Sequence, residues 1–438
     1  MKRVATALLV LVVTASIAPS AVAGTTASKM TKQTPGEAYA GTHVSFDAES
    51  KAVTDYAVHG ETMLDSVRVQ SASEVEDGGL ADIGASLSAV TEIEGAGLSL
   101  GATTTTEARV SAEGSATITA HDNGHGVLVV AAGDQSDYVV ADLPSGAEAS
   151  AESDAQVAVT TENGTEGTLL VVGEGNVTVN DEDDVTARLG DDARLVLRSY
   201  PEGKDDGDEK QEDLLVQGEA KAEAYVMVEN GSDASESADD DERVVVDTIS
   251  YGENTTVETT ESAEDEVTLA VNRTTHEGTI LVTSVSEQAL NATEGLEVAV
   301  DGESAVEART YSQLRSAVGS DQSRYVVESA GSASASASAD VLIAVNHFSE
   351  RTVSMRSASA SETTTQADDT TAGESDQTTQ SGASSETTQA GASDETTSES
   401  AETSVVDDET DNGAGVPGFT VTATVVALLG AALLARRR

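Results

Sequence analysis

Glu166-Gly167-Thr168-Leu169-Leu170-Val171 decides the reading of the fold, because it returns 111 residues later as Glu277-Gly278-Thr279-Ile280-Leu281-Val282. Each copy is a short apolar run opened by a glycine, which has the length and composition of a buried strand. At the same offset Arg198-Ser199-Tyr200 is echoed by Arg309-Thr310-Tyr311, and Val185, Leu189 and Leu195 by Leu296, Val300 and Val306. Leu214-Leu215-Val216 likewise falls on Tyr325-Val326-Val327. One offset sustained from Glu166 to Val216 is hard to obtain from composition alone and points to two copies of one β unit.

The runs around these are of the same kind: Val127-Leu128-Val129-Val130, Tyr138-Val139-Val140, Val177-Thr178-Val179 and Arg194-Leu195-Val196-Leu197, separated by Gly, Asp, Asn and Ser. Short β-branched runs at roughly 8–12-residue spacing indicate a sandwich or barrel. Val185–Leu189 and Leu296–Val300 alternate, giving each one dry face. Helical periodicity is nowhere sustained, and one short helix is expected over Tyr311–Ala317. The expected class is therefore all-β, with tandem sandwich-like domains: copies at 127–237 and 238–355, and a β-rich N-terminal region at 34–126 as a diverged third part. A β-solenoid is the competing architecture, but solenoid repeats are usually far shorter than this one.

Composition limits what such domains can do. With 78 acidic against 23 basic residues the formal charge is −55. Self-repulsion of that size opposes compaction, and molar salt, which cuts the screening length to roughly 3 Å, relieves it. The acidic excess, no Trp and three Phe suit a protein of an extreme halophile. Nucleic acid and anionic lipid are poor partners for this charge. There is no cysteine, so disulfides and thiolate metal sites are excluded.

The two ends are of a different character. Met1-Lys2-Arg3, the apolar stretch Val4–Ile17 and Ala21-Val22-Ala23 make a signal peptide over 1–23, with Ala21 and Ala23 in the small positions of a signal-peptidase site and Gly24 as the mature N-terminus. Residues 357–415 hold no Lys or Arg and almost no large apolar side chain. They are expected to form a disordered Thr/Ser/Glu-rich stalk, suited to O-glycosylation and reaching at most about 200 Å when extended. Then come Pro417-Gly418-Phe419, an apolar run from Val421 to Ala435 and Arg436-Arg437-Arg438. A helix over Pro417–Ala435 is about 28 Å long, just enough to cross a hydrocarbon core of ~30 Å, and the arginines hold its far end in the cytoplasm.

This tail, 417–438 with its acidic spacer, resembles the PGF-CTERM sorting signal of haloarchaeal cell-surface glycoproteins. The four parts of that signal stand here in order: Thr-rich spacer, Pro417-Gly418-Phe419, apolar helix and basic cluster. The resemblance implies recognition by an archaeosortase, removal of the helix and transfer of the new C-terminus to a prenyl-type lipid.

Sites of chemistry are sparse. Asn163, Asn176, Asn230, Asn254, Asn272 and Asn291 head Asn-x-Ser/Thr sequons and are candidates for N-glycosylation. Asp181–Asp184, Asp205–Glu209 and Asp239–Glu242 are read as solvated acidic loops, since none has the full calcium-loop spacing. His121 and His125 flank Asp122-Asn123-Gly124, a hairpin turn, and no third metal ligand presents itself. No nucleophile elbow or phosphate loop is present. No enzyme, metal or cofactor is expected, and the sequence names no small-molecule ligand. The expected function is that of an exported, glycosylated, lipid-anchored structural protein of the cell surface, outside the plasma membrane and associated with the S-layer. Its expected partners are signal peptidase, an archaeosortase and S-layer protein. A stalked adhesin or solute-binding ectodomain is the alternative, and an extracellular hydrolase a third.

Overall fold

The computed structural model describes residues 37–77, 86–229, 243–252, 254–263, 266–290, 295–329, 338–347 and 350–358. The signal peptide, the stalk beyond residue 358, the C-terminal segment, Asn230 and Asn291 lie outside them; Ser357, expected to open the stalk, instead ends the last strand. The first half holds β1 (Glu37–Ala40), β2 (Val44–Ala48), β3 (Val53–Val58), β4 (Glu61–Ser71), α1 (Ala72–Asp77), β5 (Leu98–Thr103), β6 (Glu107–Ala112), β7 (Thr117–His121), β8 (Leu128–Ala131), β9 (Asp137–Asp142), β10 (Glu148–Ser153), β11 (Gln156–Thr160), β12 (Glu166–Val172), β13 (Gly175–Val179), β14 (Val185–Leu189), β15 (Arg194–Tyr200) and α2 (Asp206–Val216). The second holds β16 (Ala220–Glu229), β17 (Arg243–Ser250), β18 (Thr255–Ala263), β19 (Glu266–Arg273), β20 (Glu277–Ser286), α3 (Glu287–Leu290), β21 (Leu296–Val300), β22 (Glu303–Ser304), β23 (Val306–Glu307), α4 (Tyr311–Arg315), β24 (Arg324–Ser329), β25 (Ser338–His347) and β26 (Glu350–Ser357).

These strands make four sheets. Sheet I runs β1-β2-β3-β4-β9-β14-β13 and sheet II β10-β11-β12-β15-β8-β7-β6-β5. Sheet III runs β17-β16-β20-β25-β24-β23 and sheet IV β18-β19-β26-β21-β22. Sheets I and II close over one core, with Phe46, Tyr56, Met63 and Leu64 facing Leu100, Ile118, Leu169 and Leu197. Sheets III and IV close over another, with Val226, Leu281, Val341 and Ile343 against Leu269, Val298, Val353 and Met355. The all-β, sandwich-like expectation therefore holds. Strands on both sides of residue 126 share sheets I and II, and the second sandwich begins at β16 rather than after residue 237.

A third apolar cluster lies between the sandwiches. It joins Val127, Val129, Leu170, Val172 and Val196 of sheet II to Tyr225, Ile280, Val282, Leu342 and Ala344 of sheet III, with Leu214 and Leu215 of α2 and Leu314 of α4. The central strands of sheets II and III, β8, β12 and β15 in one and β20 and β25 in the other, are thus buried on both faces. In β12, Leu169 and Val171 enter the first core while Leu170 and Val172 enter the contact between sandwiches. In β20, Leu281 points one way and Ile280 and Val282 the other. A strand dry on both faces reads as a continuous apolar run instead of an alternation. The echoed hexapeptides are these two strands.

One reading of the sequence is corrected. Asp205–Glu209 is the start of α2, not a loop. The Asp205 side chain accepts from the amides of Gly207 and Asp208, and the Asp208 side chain accepts from the Asp205 amide, a reciprocal cap. Carboxylates crowd there because the first turn of a helix presents unpaired N–H groups and positive partial charge. The short helix expected over Tyr311–Ala317 forms over Tyr311–Arg315, capped by Thr310.

Candidate functional site

The contact between sandwiches has a polar part, and it holds most of the buried ionisable groups. Along β15, Leu195 and Leu197 face the first core, so period-two alternation turns Val196, Arg198 and Tyr200 toward sheet III. On β16, Ala222 and Ala224 enter the second core, and Glu223 turns back toward Arg198. Arg198 is 1% exposed. Its Nη2 donates to Gln211 Oε1 (3.0 Å), and its Nη1 lies 3.8 Å from Glu223 Oε1. Glu223 Oε2 accepts from the Tyr225 hydroxyl (2.5 Å). Helix α2 supplies Glu212, which accepts from the Tyr200 hydroxyl (2.5 Å) and Lys204 Nζ (2.6 Å), and Gln211, whose Nε2 donates to Asp340 Oδ2 (2.7 Å).

The turn after β7 adds a second set of bonds. His121 Nδ1 lies 3.0 Å from Asp247 Oδ1 on β17, and Asn123 Nδ2 donates to Asp247 Oδ2 (2.8 Å). Asp122 turns the other way and accepts from the amides of Thr42, His43 and Val44 at 2.6, 2.6 and 2.8 Å. His125 Nδ1 sits 3.0 Å from the Ser199 carbonyl. The hairpin expected at Asp122-Asn123-Gly124 is present, with β7 paired to β8. His121 thus reaches across to the second sandwich, while His125 bonds within the first and sets its ring 5.7 Å from that of Tyr225. Among the described residues no group of three metal-ligating side chains occurs.

Burial sets the protonation of this region. Burial raises the Tyr200, Tyr225 and Tyr251 hydroxyls, with Glu223 adding to the rise at the latter two, so all three stay neutral. Burial would lower Arg198, but Glu223 and the tyrosines hold it well above its usual value. Burial also opposes the charged form of His121, yet Asp247 outweighs it and the pKa is raised. His125 is lowered by burial and by Arg198. Asp208 and Asp340 are both raised by burial. Arg198 Nε and Nη1, Glu223 Oε1 and the Tyr251 hydroxyl are buried without a hydrogen-bond partner among the described residues. The arrangement is a buried electrostatic joint between the two sandwiches.

The sequon asparagines within the described residues, Asn163, Asn176, Asn254 and Asn272, are exposed. Asn163 Nδ2 donates to both carboxylate oxygens of Glu61 (2.9 and 2.8 Å). Asn176 and Thr178 line an open depression of about 380 Å³ with Ser86, Ser88, Glu152 and Asp154. That lining carries carboxylates and no cation. The processing residues Ala21, Ala23, Gly24, Pro417, Gly418 and Phe419 lie outside the described residues. Sequence reasoning missed Arg198, Glu223, Glu212 and Asp247 as partners, because a lone charged residue beside an apolar run carries no mark of what it will face.

A β-sandwich ectodomain followed by an acidic tract and an apolar tail that ends in three arginines belongs to a cell-surface protein held at the membrane. Residues 416–438 match the PGF-CTERM motif, so the chain carries the archaeosortase-recognised sorting signal of haloarchaeal surface proteins. Among curated proteins nothing matches the sequence. Among solved structures, a glycoside hydrolase family 81 enzyme from Clostridium thermocellum is similar over 75% of this chain and 38% of its own length, at 9% identity and a TM-score of 0.31.

Proposed function

We propose that this chain is a structural glycoprotein of a halophilic archaeon's envelope, associated with the S-layer. In this reading its β ectodomain stands on the stalk beyond residue 358, and its processed C-terminus carries a prenyl-type lipid. The observation that carries the reading is the PGF-CTERM motif at 416–438, placed directly behind an acidic Ser/Thr tract. The role is architectural and not catalytic. Support comes from the buried joint, where Arg198 faces Glu223 and His121 faces Asp247 across the two sandwiches, and from the open acidic depression, whose lining carries no cation. The acidic balance of 78 to 23 supports a working environment of molar salt, where screening is short-ranged. Removal of the segment 1–23 completes export. Intact mass of the protein recovered from washed membranes tests the proposal. It should show loss of both ends, gain of a lipid and added hexose-type mass. A mass equal to the full unmodified chain would refute it.

A further inference from the structure

Asn254 and Asn272 head two Asn-x-Thr sequons that meet in one hairpin, yet the fold treats them differently. Asn254 precedes β18, the edge strand of sheet IV. Its sequon is paired on one side only, Thr255 with Arg273 and Thr256 with Asn272. Asn272 lies on β19, which is paired on both sides: the residue opposes Thr256 on β18 and Glu350 on β26. The hydroxyls differ as well. Thr274, the hydroxyl residue of the Asn272 sequon, donates its Oγ1 to Asn254 Oδ1 (2.7 Å), and its amide donates to the Asn254 carbonyl (3.0 Å). Thr256, the hydroxyl residue of the Asn254 sequon, is exposed. The bond from Thr274 occupies the carbonyl oxygen of the Asn254 side chain. Its amide nitrogen, the atom that receives sugar, has no hydrogen bond among the described residues.

We infer that glycan is added to the folded protein, so that strand pairing selects the site: Asn254 is modified and Asn272 is spared. The inference rests on the glycoprotein reading above. In the transfer, a bond forms between Nδ2 and the anomeric carbon of a lipid-phosphate-linked oligosaccharide. The sugar–phosphate bond breaks, the lipid phosphate leaves with the electron pair, and Nδ2 gives up one proton. The transferase must hold the Asn amide and the hydroxyl two residues on at once. At Asn254 one ladder and the two bonds from Thr274 would have to give, with buried Thr255 and Val257 and the bond from Thr248 to the Val257 carbonyl holding the strand beyond. At Asn272 both ladders would have to open and Thr274 would have to leave Asn254, while Val271 and Leu269, both buried, hold the strand in the core. Exposure of the side chain does not distinguish the two sites, since both are exposed.

The test is glycopeptide mass spectrometry on protein purified from membranes. Cleavage after glutamate separates the sites into fragments 254–258 and 267–277. The expected result is sugar on 254–258 and at least tenfold lower occupancy of 267–277. Equal occupancy would overturn the inference, because both sequons would then have been read before the hairpin closed. No sugar at any sequon would instead remove the glycoprotein reading beneath it. A Leu269→Ala variant, which loosens β19 while leaving both sequons intact, should raise occupancy of Asn272 severalfold. Unchanged low occupancy in an exported Leu269→Ala protein would show that local sequence, not pairing, spares Asn272, and would also overturn the inference.

Discussion

Replacing Arg198 with Met tests whether the polar joint holds the two sandwiches together. The variant keeps most of the side-chain length, so the packing of Tyr200, whose ring lies 5.8 Å from the guanidinium carbon, is largely retained. It removes the donor to Gln211 and leaves Glu223 buried with only the Tyr225 hydroxyl. Breaking a buried pair by removing one partner costs about 3–5 kcal/mol, mainly from the charge left behind. The Arg198–Glu223 separation of 3.8 Å is long for a tight ion pair, so the low end, about 3 kcal/mol, is expected. Neutralising the survivor should recover part of this: in Arg198→Met/Glu223→Gln the two losses should fall short of their sum by about 1–2 kcal/mol, within the range for coupled neighbours. Urea unfolding in molar potassium chloride, followed by circular dichroism and tyrosine fluorescence, gives the number. At about 2 kcal/mol per molar urea the midpoint should drop by more than 1 M. A drop worth under about 1 kcal/mol, with additive single and double variants, would mean that the joint is solvated and contributes little.

Three further outcomes follow from the same geometry. Gly278→Ala should destabilise by about 1–3 kcal/mol, the usual range for overpacking, because an added Cβ would meet the carbonyl oxygens of Val345 and Asn346 at 2.5 Å; a thermal melt unchanged from wild type would argue against the tight β20–β25 approach. The two joint histidines should titrate on opposite sides of 6.5 by NMR, His121 above and His125 below. With its folded pKa raised, His121 stabilises below the unfolded value, and that contribution is lost as pH rises through the folded one; His125 contributes above the unfolded value and loses it as pH falls through its own. His121→Gln should therefore flatten the alkaline side of the stability profile, and a variant that retains the wild-type slope would remove the Asp247 pairing from the account. The third outcome concerns salt: the ectodomain should lose its far-ultraviolet strand signal below about 0.1 M, where the screening length reaches about 10 Å, whereas an unchanged spectrum would mean that the −55 charge is not limiting.

The sequence disclosed the strands better than their arrangement. Runs such as Leu169-Leu170-Val171-Val172 and Ile280-Leu281-Val282 were legible because strands buried on both faces must be apolar throughout. The 111-residue echo marks β12 and β20, which occupy facing inner sheets. It weakens afterwards: Arg198 is buried in the joint, while Arg309 at the matching position is exposed. Helix α2 was hidden by its own cap, since five residues of Asp, Gly and Glu have the composition of a loop until Leu214 and Leu215 find sheet II behind them. The candidate site was illegible for a related reason. Asp247 and His121 lie 126 residues apart in the chain, and only the stacking of sheet II on sheet III brings them together.

The account's central claim is that the C-terminus is a processed surface anchor. It is most directly tested by sequencing the C-terminal peptides of protein extracted from membranes, wild type beside a variant with Pro417, Gly418 and Phe419 all replaced by Ala. Wild-type protein should lack the segment 421–438 and carry a lipid at its new end, while the variant is exported and keeps the segment through Arg438. Recovery of the intact 421–435 stretch from wild-type protein, with no lipid gained, would contradict the claim and leave a single-span membrane protein in its place.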